Sequence, residues 1–172
     1  MKFLKDNQIL DIQEANETDA EALSAFLNQV KKEAHFVVLK DSGIQLEEEK
    51  LIDYLKHLKV LTTSKLFLGK VNNDIIASGG IYHRETSVVG NVDLDLNVIN
   101  DYINLGTVEY MLNHVINYAR ITTEIDSIDI LIYKNDRLIK IIKSLGFKEI
   151  SSRKADVALD VLKNELVFRL EL

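Results

Sequence analysis

The sequence predicts a mixed α/β (α+β) domain whose central sheet is mostly antiparallel and contains one parallel strand–helix–strand unit. Three observations predict it. The alternating stretch Asn91-Val92-Asp93-Leu94-Asp95-Leu96-Asn97-Val98 leads into an amphipathic helix from about Thr107 and then an apolar strand at Ile128–Tyr133. Two strands joined through a crossover helix pair in parallel. Upstream, Asn72-Asn73-Asp74 joins two further strands as a hairpin, which imposes antiparallel pairing there. The third observation is the order β α α β β β α β α β β, in which hairpins flank the single crossover.

At 172 residues, with 47% apolar and 28% charged residues, the chain reads as one globular domain spanning 1–172. Its apolar runs are far shorter than a membrane span, so no membrane partner is expected. The start, Met1-Lys2-Phe3-Leu4-Lys5-Asp6, is broken by charge and lacks a signal-peptide core, which points to the cytoplasm. With no cysteine, disulfides, thiolate metal sites and thiol chemistry are excluded. No two of the four histidines have metal-ligand spacing, so no metal is expected. A net charge of −6 argues against a nucleic-acid partner. Whether the chain forms a homodimer is left open.

Residues 8–15 alternate as a first strand. Thr18-Asp19-Ala20-Glu21 reads as a capping box ahead of a helix carrying Ala22, Leu23, Phe26, Leu27 and Val30 to about Glu33. His35 to Leu46 has no period and is assigned to a loop. Glu47-Glu48-Glu49 opens a second helix, with Leu51, Ile52, Leu55 and Leu58 as its buried stripe. Leu66–Val71 and Ile75–Tyr82 form the hairpin, and Gly79-Gly80 within it signals a bulge or a close approach. Thr86 to Val89 links to the Asn91 strand. The third helix buries Met111, Leu112, Val115, Ile116 and Ala119. Asn135 opens a fourth with Leu138, Ile139, Ile141, Ile142 and Leu145 apolar, and Gly146 takes its left-handed C′ position ahead of Phe147. Residues 147–152 and 165–172 close the chain as two antiparallel strands.

The turn from Asn100 to Gly106 feeds a helix N-terminus, where outward N–H groups and the helix dipole favour an anion. Its sequence, Val98-Ile99-Asn100-Asp101-Tyr102-Ile103-Asn104-Leu105-Gly106-Thr107-Val108, resembles the strand and Pro-Glu-Tyr-Arg-Gly-x-Gly-x-Gly turn of the GCN5-related N-acetyltransferase (GNAT) superfamily. Asn135-Asp136-Arg137-Leu138-Ile139-Lys140-Ile141-Ile142-Lys143-Ser144-Leu145-Gly146-Phe147 is similar to that family's Asn-x-x-Ala-x-x-x-Tyr-x-x-x-Gly-Phe helix, and is the more specific match. The layout looks closest to small bacterial members related to ribosomal-protein N-terminal acetyltransferases. The resemblance implies an acyl-CoA N-acyltransferase fold, acetyl-CoA as co-substrate, and a primary amine as acceptor, attacked directly in a ternary complex. It further implies pantetheine and oxyanion contacts at Leu96, Asn97 and Val98, a pyrophosphate cradle at Asn104, Leu105, Gly106, Thr107 and Val108, and Asn135 bonding the pantetheine arm or nearby backbone. The departures are Ile103 for the usual Arg or Gln, Val108 for a second small residue that β-branching would narrow, Leu138 for a small residue, and Ile142 for the tyrosine that protonates the departing thiolate. Isoleucine has no titratable group, so Ile142 cannot be that acid.

Period 2 places Asn91, Asp93, Asp95 and Asn97 on one face of their strand. In the catalytic reading, Asp93 or Asp95 attracts the amine and relays its proton through water; in the plainer reading, the face is merely hydrogen-bonded. Tyr102, Tyr110 and Tyr133 are the nearest candidate acids, although packing roles suffice for Tyr102 and Tyr133. His83 is a surface residue by default, and His35, His57 and His114 are assigned no role. Arg137, Lys140 and Lys143 are candidate phosphate contacts, with solvation the alternative. Two rivals remain: a non-catalytic GNAT-fold module that binds CoA or a protein, which Ile103, Val108 and Ile142 favour, and a nucleotide-binding α/β domain, which the lack of a Gly-rich dinucleotide or Walker loop disfavours.

Overall fold

The strand expected at Asn91–Val98 forms over those residues and lies inside the sheet. The computed structural model describes residues 2–33, 37–38, 48–83, 88–133, 135–155 and 163–172. Among them, the strands are β1 (Lys2–Phe3), β2 (Ile9–Glu14), β3 (Val37–Val38), β4 (Lys65–Val71), β5 (Asp74–Tyr82), β6 (Asn91–Val98), β7 (Ser127–Tyr133), β8 (Lys148–Ala155) and β9 (Lys163–Glu171). The helices are α1 (Ala20–Glu33), α2 (Glu48–Val60), α3 (Thr107–Ile121) and α4 (Asp136–Ser144). The sheet runs β1-β2-β4-β5-β6-β7-β9-β8, with β3 added beside β6. Its one parallel pair is β6–β7, joined through α3, and every other pairing is antiparallel, as the fold-class expectation required.

The two strand faces are covered differently. Phe67, Gly69, Ala77 and Gly79 turn toward α3, whose Met111 and Val115 come within van der Waals reach of the glycine positions. Phe67 also meets the rings of His114 and Tyr118 edge-on, at 4.7 and 5.3 Å between centroids. Helices α1 and α2 pack on the sheet and on each other, burying Leu23, Phe26, Val30, Leu51, Leu55 and Leu58. The expected stripes on α2 and α3 are therefore present, with Ile52 only partly buried.

Local details differ from expectation in four places. The N-terminal cap of the first helical segment is set by Asn16 and Asp19, not Thr18 and Glu21: Thr18 N–H donates to Asn16 Oδ1 at 3.0 Å, and Asn16 N–H donates to Asp19 Oδ2 at 3.0 Å. A 3-10 turn at Glu17–Asp19 precedes α1, so the box moves up the chain. Within the stretch assigned to a loop, Val37–Val38 form a strand. No bulge interrupts the ladder at Gly79–Gly80; the register shift lies at Gly69/Lys70, and the glycines instead admit close neighbours. The hairpin turn is the pair Asn72–Asn73, both at positive φ, with Asp74 already in β5. Residues 39–47, most of the expected loop, and 84–87 lie outside the described residues.

Leu94 marks the last residue of the β6–β7 pairing and is fully buried, opposite Ile81 and beside Ile130. Leu94→Ala should lower unfolding stability by about 2–5 kcal/mol, the range for a buried leucine truncation. Urea denaturation checks this; a loss below ~1 kcal/mol would mean the sheet is not keyed at this point.

Candidate functional site

Pairing between β6 and β7 runs from Asn91↔Ser127 to Leu94↔Ile130 and then stops, although both strands continue. The strands thus separate beside Asp95–Val98. The resemblance places the pantetheine arm here, on Leu96, Asn97 and Val98. In this structure Val37 and Val38 pair antiparallel with Asn97 and Leu96, and β3 also contacts β7. The outer edge at Leu96 and Asn97 is therefore paired with another segment of the chain in this structure. Val98 is buried and paired with Ala77 on the other side.

Beyond β6, a 3-10 turn over Asn100–Leu105 leads to Gly106, whose φ of +95° is left-handed. Gly106 is also the N-cap of α3, with no side-chain cap bond. The first intrahelical bond runs from Tyr110 N–H to the Gly106 carbonyl at 3.1 Å, so the amides of Thr107, Val108 and Glu109 precede the ladder. An uncapped helix start of this kind fits an anion. Thr107 and Val108 are wholly buried, and Thr107 Oγ1 has no hydrogen-bond partner among the described residues. The Val108 side chain belongs to the core. The Leu105 carbonyl accepts from Lys5 N–H at 3.2 Å.

Arg137, at the start of α4, reaches across to this turn. Its Nη1 donates to Asn104 Oδ1 and its Nη2 to the Ile103 carbonyl, the latter at 3.2 Å. A guanidinium thus sits over the turn from another helix, although position 103 itself supplies none. Asn135 bonds nearby backbone: its Oδ1 accepts from Leu138 N–H at 3.0 Å, capping α4. At the other end Gly146 takes the left-handed position and Phe147 N–H donates to the Ile142 carbonyl, as the sequence predicted. Ile142 is fully buried and Leu138 nearly so, which makes α4 a packing helix on that side.

The polar row on β6 divides in two. Asn91 Nδ2 donates to Ser127 Oγ at 2.9 Å and Asn97 Nδ2 to Ser78 Oγ at 3.3 Å, so hydrogen bonding accounts for both. Asp93 is half-buried, level with Tyr82 on β5 and Asp129 on β7. Asp129 is held by a two-pronged ion pair with Arg169, at 2.7 and 2.8 Å. Asp95 is different. It is 1% exposed, and neither carboxylate oxygen has a well-formed hydrogen bond among the described residues. Burial pushes its pKa up to about 7, while the nearby Gly80 N–H, the Tyr82 hydroxyl and its own N–H pull the other way.

Two residues the sequence reading missed share this spot. The hydroxyls of Tyr82 on β5 and Tyr54 on α2 are both buried without a well-formed partner. Burial raises both phenols above their ordinary pKa, and the Asp95 charge adds to the effect. A signal was available: Tyr82 lies two residues after Gly80 on one strand face, and its ring folds back over the glycine. A Cβ at Gly80 would stand 2.7 Å from Tyr82 Cζ and 2.9 Å from the Lys65 carbonyl. Gly80 pairs with Asp95, which brings the phenol to the carboxylate.

The other candidates fall away from this centre. Tyr110 Oη donates to the Phe3 carbonyl at 3.2 Å, and Tyr102 is half-buried against the core. His83 is exposed and its N–H donates to Ser64 Oγ at 3.0 Å. The His114 ring packs on Phe67, and burial lowers its pKa. The Tyr133 side chain and His35 lie outside the described residues. Among the described residues no group of three or more carboxylates and histidines could hold a metal, and no helix is long and apolar enough to cross a membrane.

No family model and no curated protein matches the sequence. Solved structures do match. A GNAT-family acetyltransferase from Streptococcus pneumoniae superposes with a TM-score of 0.85 at 22% identity, covering 95% of this chain and 100% of that one. The fold is that of the GNAT acetyltransferases. The Salmonella typhimurium protein yncA, solved with its cofactor acetyl-CoA, gives 0.79 at 14% identity over 95% and 94% of the two chains. The ribosomal-protein-S5-alanine acetyltransferase of Vibrio fischeri gives 0.78 at 14% identity over 94% and 92%.

The raised pKa of Asp95 sets the pH dependence of folding. Its carboxyl tolerates burial when protonated, and ionising it costs more in the folded state than in the unfolded chain. Stability should therefore fall as pH rises from about 4 toward 7 and level off above. Asp95→Asn should remove that slope, so the variant gains on the parent most at pH 8 and least at pH 4. Chemical denaturation across this range checks it, and parallel curves for the two proteins would place the titration elsewhere.

Proposed function

We propose that the protein is an acetyl-CoA-dependent N-acetyltransferase acting on a primary amine, in a small molecule or at a protein N-terminus, by direct attack in a ternary complex. The observation that carries this is the uncapped N-terminus of α3, opening at the end of a strand that has parted from its parallel partner. The amides of Gly106, Thr107, Val108 and Glu109 would receive the pyrophosphate, and Arg137, already on the turn, would supply the cation that Ile103 lacks. The pantetheine arm would take the β6 edge at Leu96 to Val98 in place of Val37–Val38, with main-chain N–H groups there stabilising the oxyanion. Asn135 would act by holding the start of α4.

On the acceptor side, Asp95 would take one proton from the ammonium through water, and Asp93 would attract the cation toward the cleft. The neutral amine then attacks the thioester carbonyl; the C–N bond forms as the C–S bond breaks. Of the two protons the nitrogen loses, one leaves through Asp95 to solvent and the other ends on the CoA thiol. No side chain at position 142 supplies that second proton. The most economical arrangement needs no nucleic acid, membrane or metal, and places the enzyme in a bacterial cytoplasm; a homodimer is compatible with it.

A second reading is favoured by one observation: β3 already occupies the β6 edge. It makes the chain a non-catalytic GNAT-fold module that binds CoA or a protein. Calorimetry with acetyl-CoA and with free CoA, followed by assays over a panel of amines, separates the two. Binding with turnover supports the enzyme; binding without turnover supports the module; no binding at millimolar ligand sinks both CoA readings.

Gly106→Asp should weaken CoA binding at least about tenfold, a change of roughly 1.4 kcal/mol, by placing an anion in the cradle. It should also lower stability, because a φ of +95° strains a side chain there, so binding is measured where the variant is folded. Unchanged affinity would put the phosphates elsewhere. Asp95→Asn should lower kcat/KM by about 100-fold or more, within the usual contribution of a general base. Asp93→Asn should act more on KM, and normal kinetics in both variants would remove the acceptor face from the mechanism.

A further inference from the structure

Four buried polar atoms from three elements converge without well-formed partners: Tyr54 Oη from α2, Tyr82 Oη from β5, and both oxygens of Asp95 on β6. The three groups form a chain of contacts, Tyr54 to Tyr82 and Tyr82 to Asp95, in which none of the four atoms has a well-formed hydrogen bond among the described residues. The sheet is built to make these contacts. Tyr82 can lie over the ladder only because Gly80 has no side chain, and Gly80 is the residue in register with Asp95.

We propose that Tyr82 and Tyr54 are positioning residues for Asp95, and that the two hydroxyls and the carboxylate hold one water through which the acceptor's ammonium proton leaves. This rests on the reading of Asp95 as proton acceptor. One ammonium N–H bond breaks and its proton goes to the water, which passes one of its own to Asp95; the neutral amine remains, and Asp95 later returns the proton to solvent. The Tyr82 hydroxyl points toward the carboxylate and favours its charged form against the burial that opposes it. Tyr54 acts through Tyr82, since the two phenols interact.

Among the described residues, Tyr82 from β5 and Tyr54 from α2 interact with Asp95, and Asp93 lies two residues earlier on the same face of β6. Strand β4 presents Leu66 and Leu68 to that face, and the buried residues of α1 are Ala20, Leu23, Phe26 and Val30, none of them ionisable. Among the described residues Asp95 forms no ion pair, unlike Asp129 with Arg169 or Asp19 with Lys70.

The test is a carbon-13 NMR titration of the Asp95 carboxyl in the full chain, beside Tyr82→Phe, Tyr54→Phe and Gly80→Ala. Losing the Tyr82 hydroxyl should raise the Asp95 midpoint by about one unit, the scale of one hydrogen bond to a charged group, and losing Tyr54 should raise it less. Gly80→Ala should act like Tyr82→Phe by displacing the ring; if it does not fold, Tyr82→Phe carries the result. The acidic limb of kcat/KM should move to higher pH by the same amount. An unmoved midpoint in Tyr82→Phe overturns the proposal. A moved midpoint with a fixed limb also overturns it, by leaving the phenols a structural role only. Wild-type kcat/KM in Asp95→Asn would instead overturn the proton-acceptor reading beneath it. A chain that acetylates no amine removes the reaction and the positioning role together, whatever the titration does.

Discussion

Everything at this site hangs on the hydrogen bonding of β6. Along its β5 side the strand is paired from Asp93 to Val98. Along its other side the partner changes part-way, from β7 up to Leu94 to β3 at Leu96 and Asn97. A strand held continuously on one edge and discontinuously on the other keeps its shape while one edge changes hands. That division places the splay, the turn at Gly106 and the buried carboxylate within one short stretch of chain.

The same strand brings together two chemically distinct regions. At its C-terminal end, backbone amides and a guanidinium borrowed from α4 make an electropositive turn. In its middle, on the face toward α1 and α2, the groups are acidic or phenolic. A thioester donor and an ammonium acceptor differ in the same way, the first anionic at its phosphates and the second cationic at its nitrogen. The polarity therefore changes along the strand, from electropositive at its C-terminal end to acidic and phenolic in its middle.

How much of this was legible depended on the range of the interaction. Local patterns carried well: the start of α3 at Thr107, the Asn135 cap, the Gly146–Phe147 ending and the Asn72–Asn73 turn are all set by residues within one or two turns of each other. The capping box was misplaced because Thr18-x-x-Glu21 and Asn16-x-x-Asp19 overlap, and only the 3-10 turn decides between them. Contacts between distant segments were not legible. Nothing in Val37–Val38 announces a partner sixty residues on, and Arg137 looks like any exposed helix cation until α4 is docked beside the turn. Tyr54 was hidden for the same reason. Asp93 and Asp95 look alike in the sequence, and they are separated only by what the sheet and α2 put over each.

Gly80 lies in the interior of β5. A strand residue without a side chain is ordinarily a weak point, costing the sheet conformational entropy and packing. Here the missing side chain is volume lent to a neighbour: the phenol of Tyr82 lies in the space a Cβ would fill. Drift at this position is therefore closed in both directions. Any larger residue expels the ring, and losing the ring leaves a void beside a buried carboxylate, so the glycine and the tyrosine can only be exchanged as a pair.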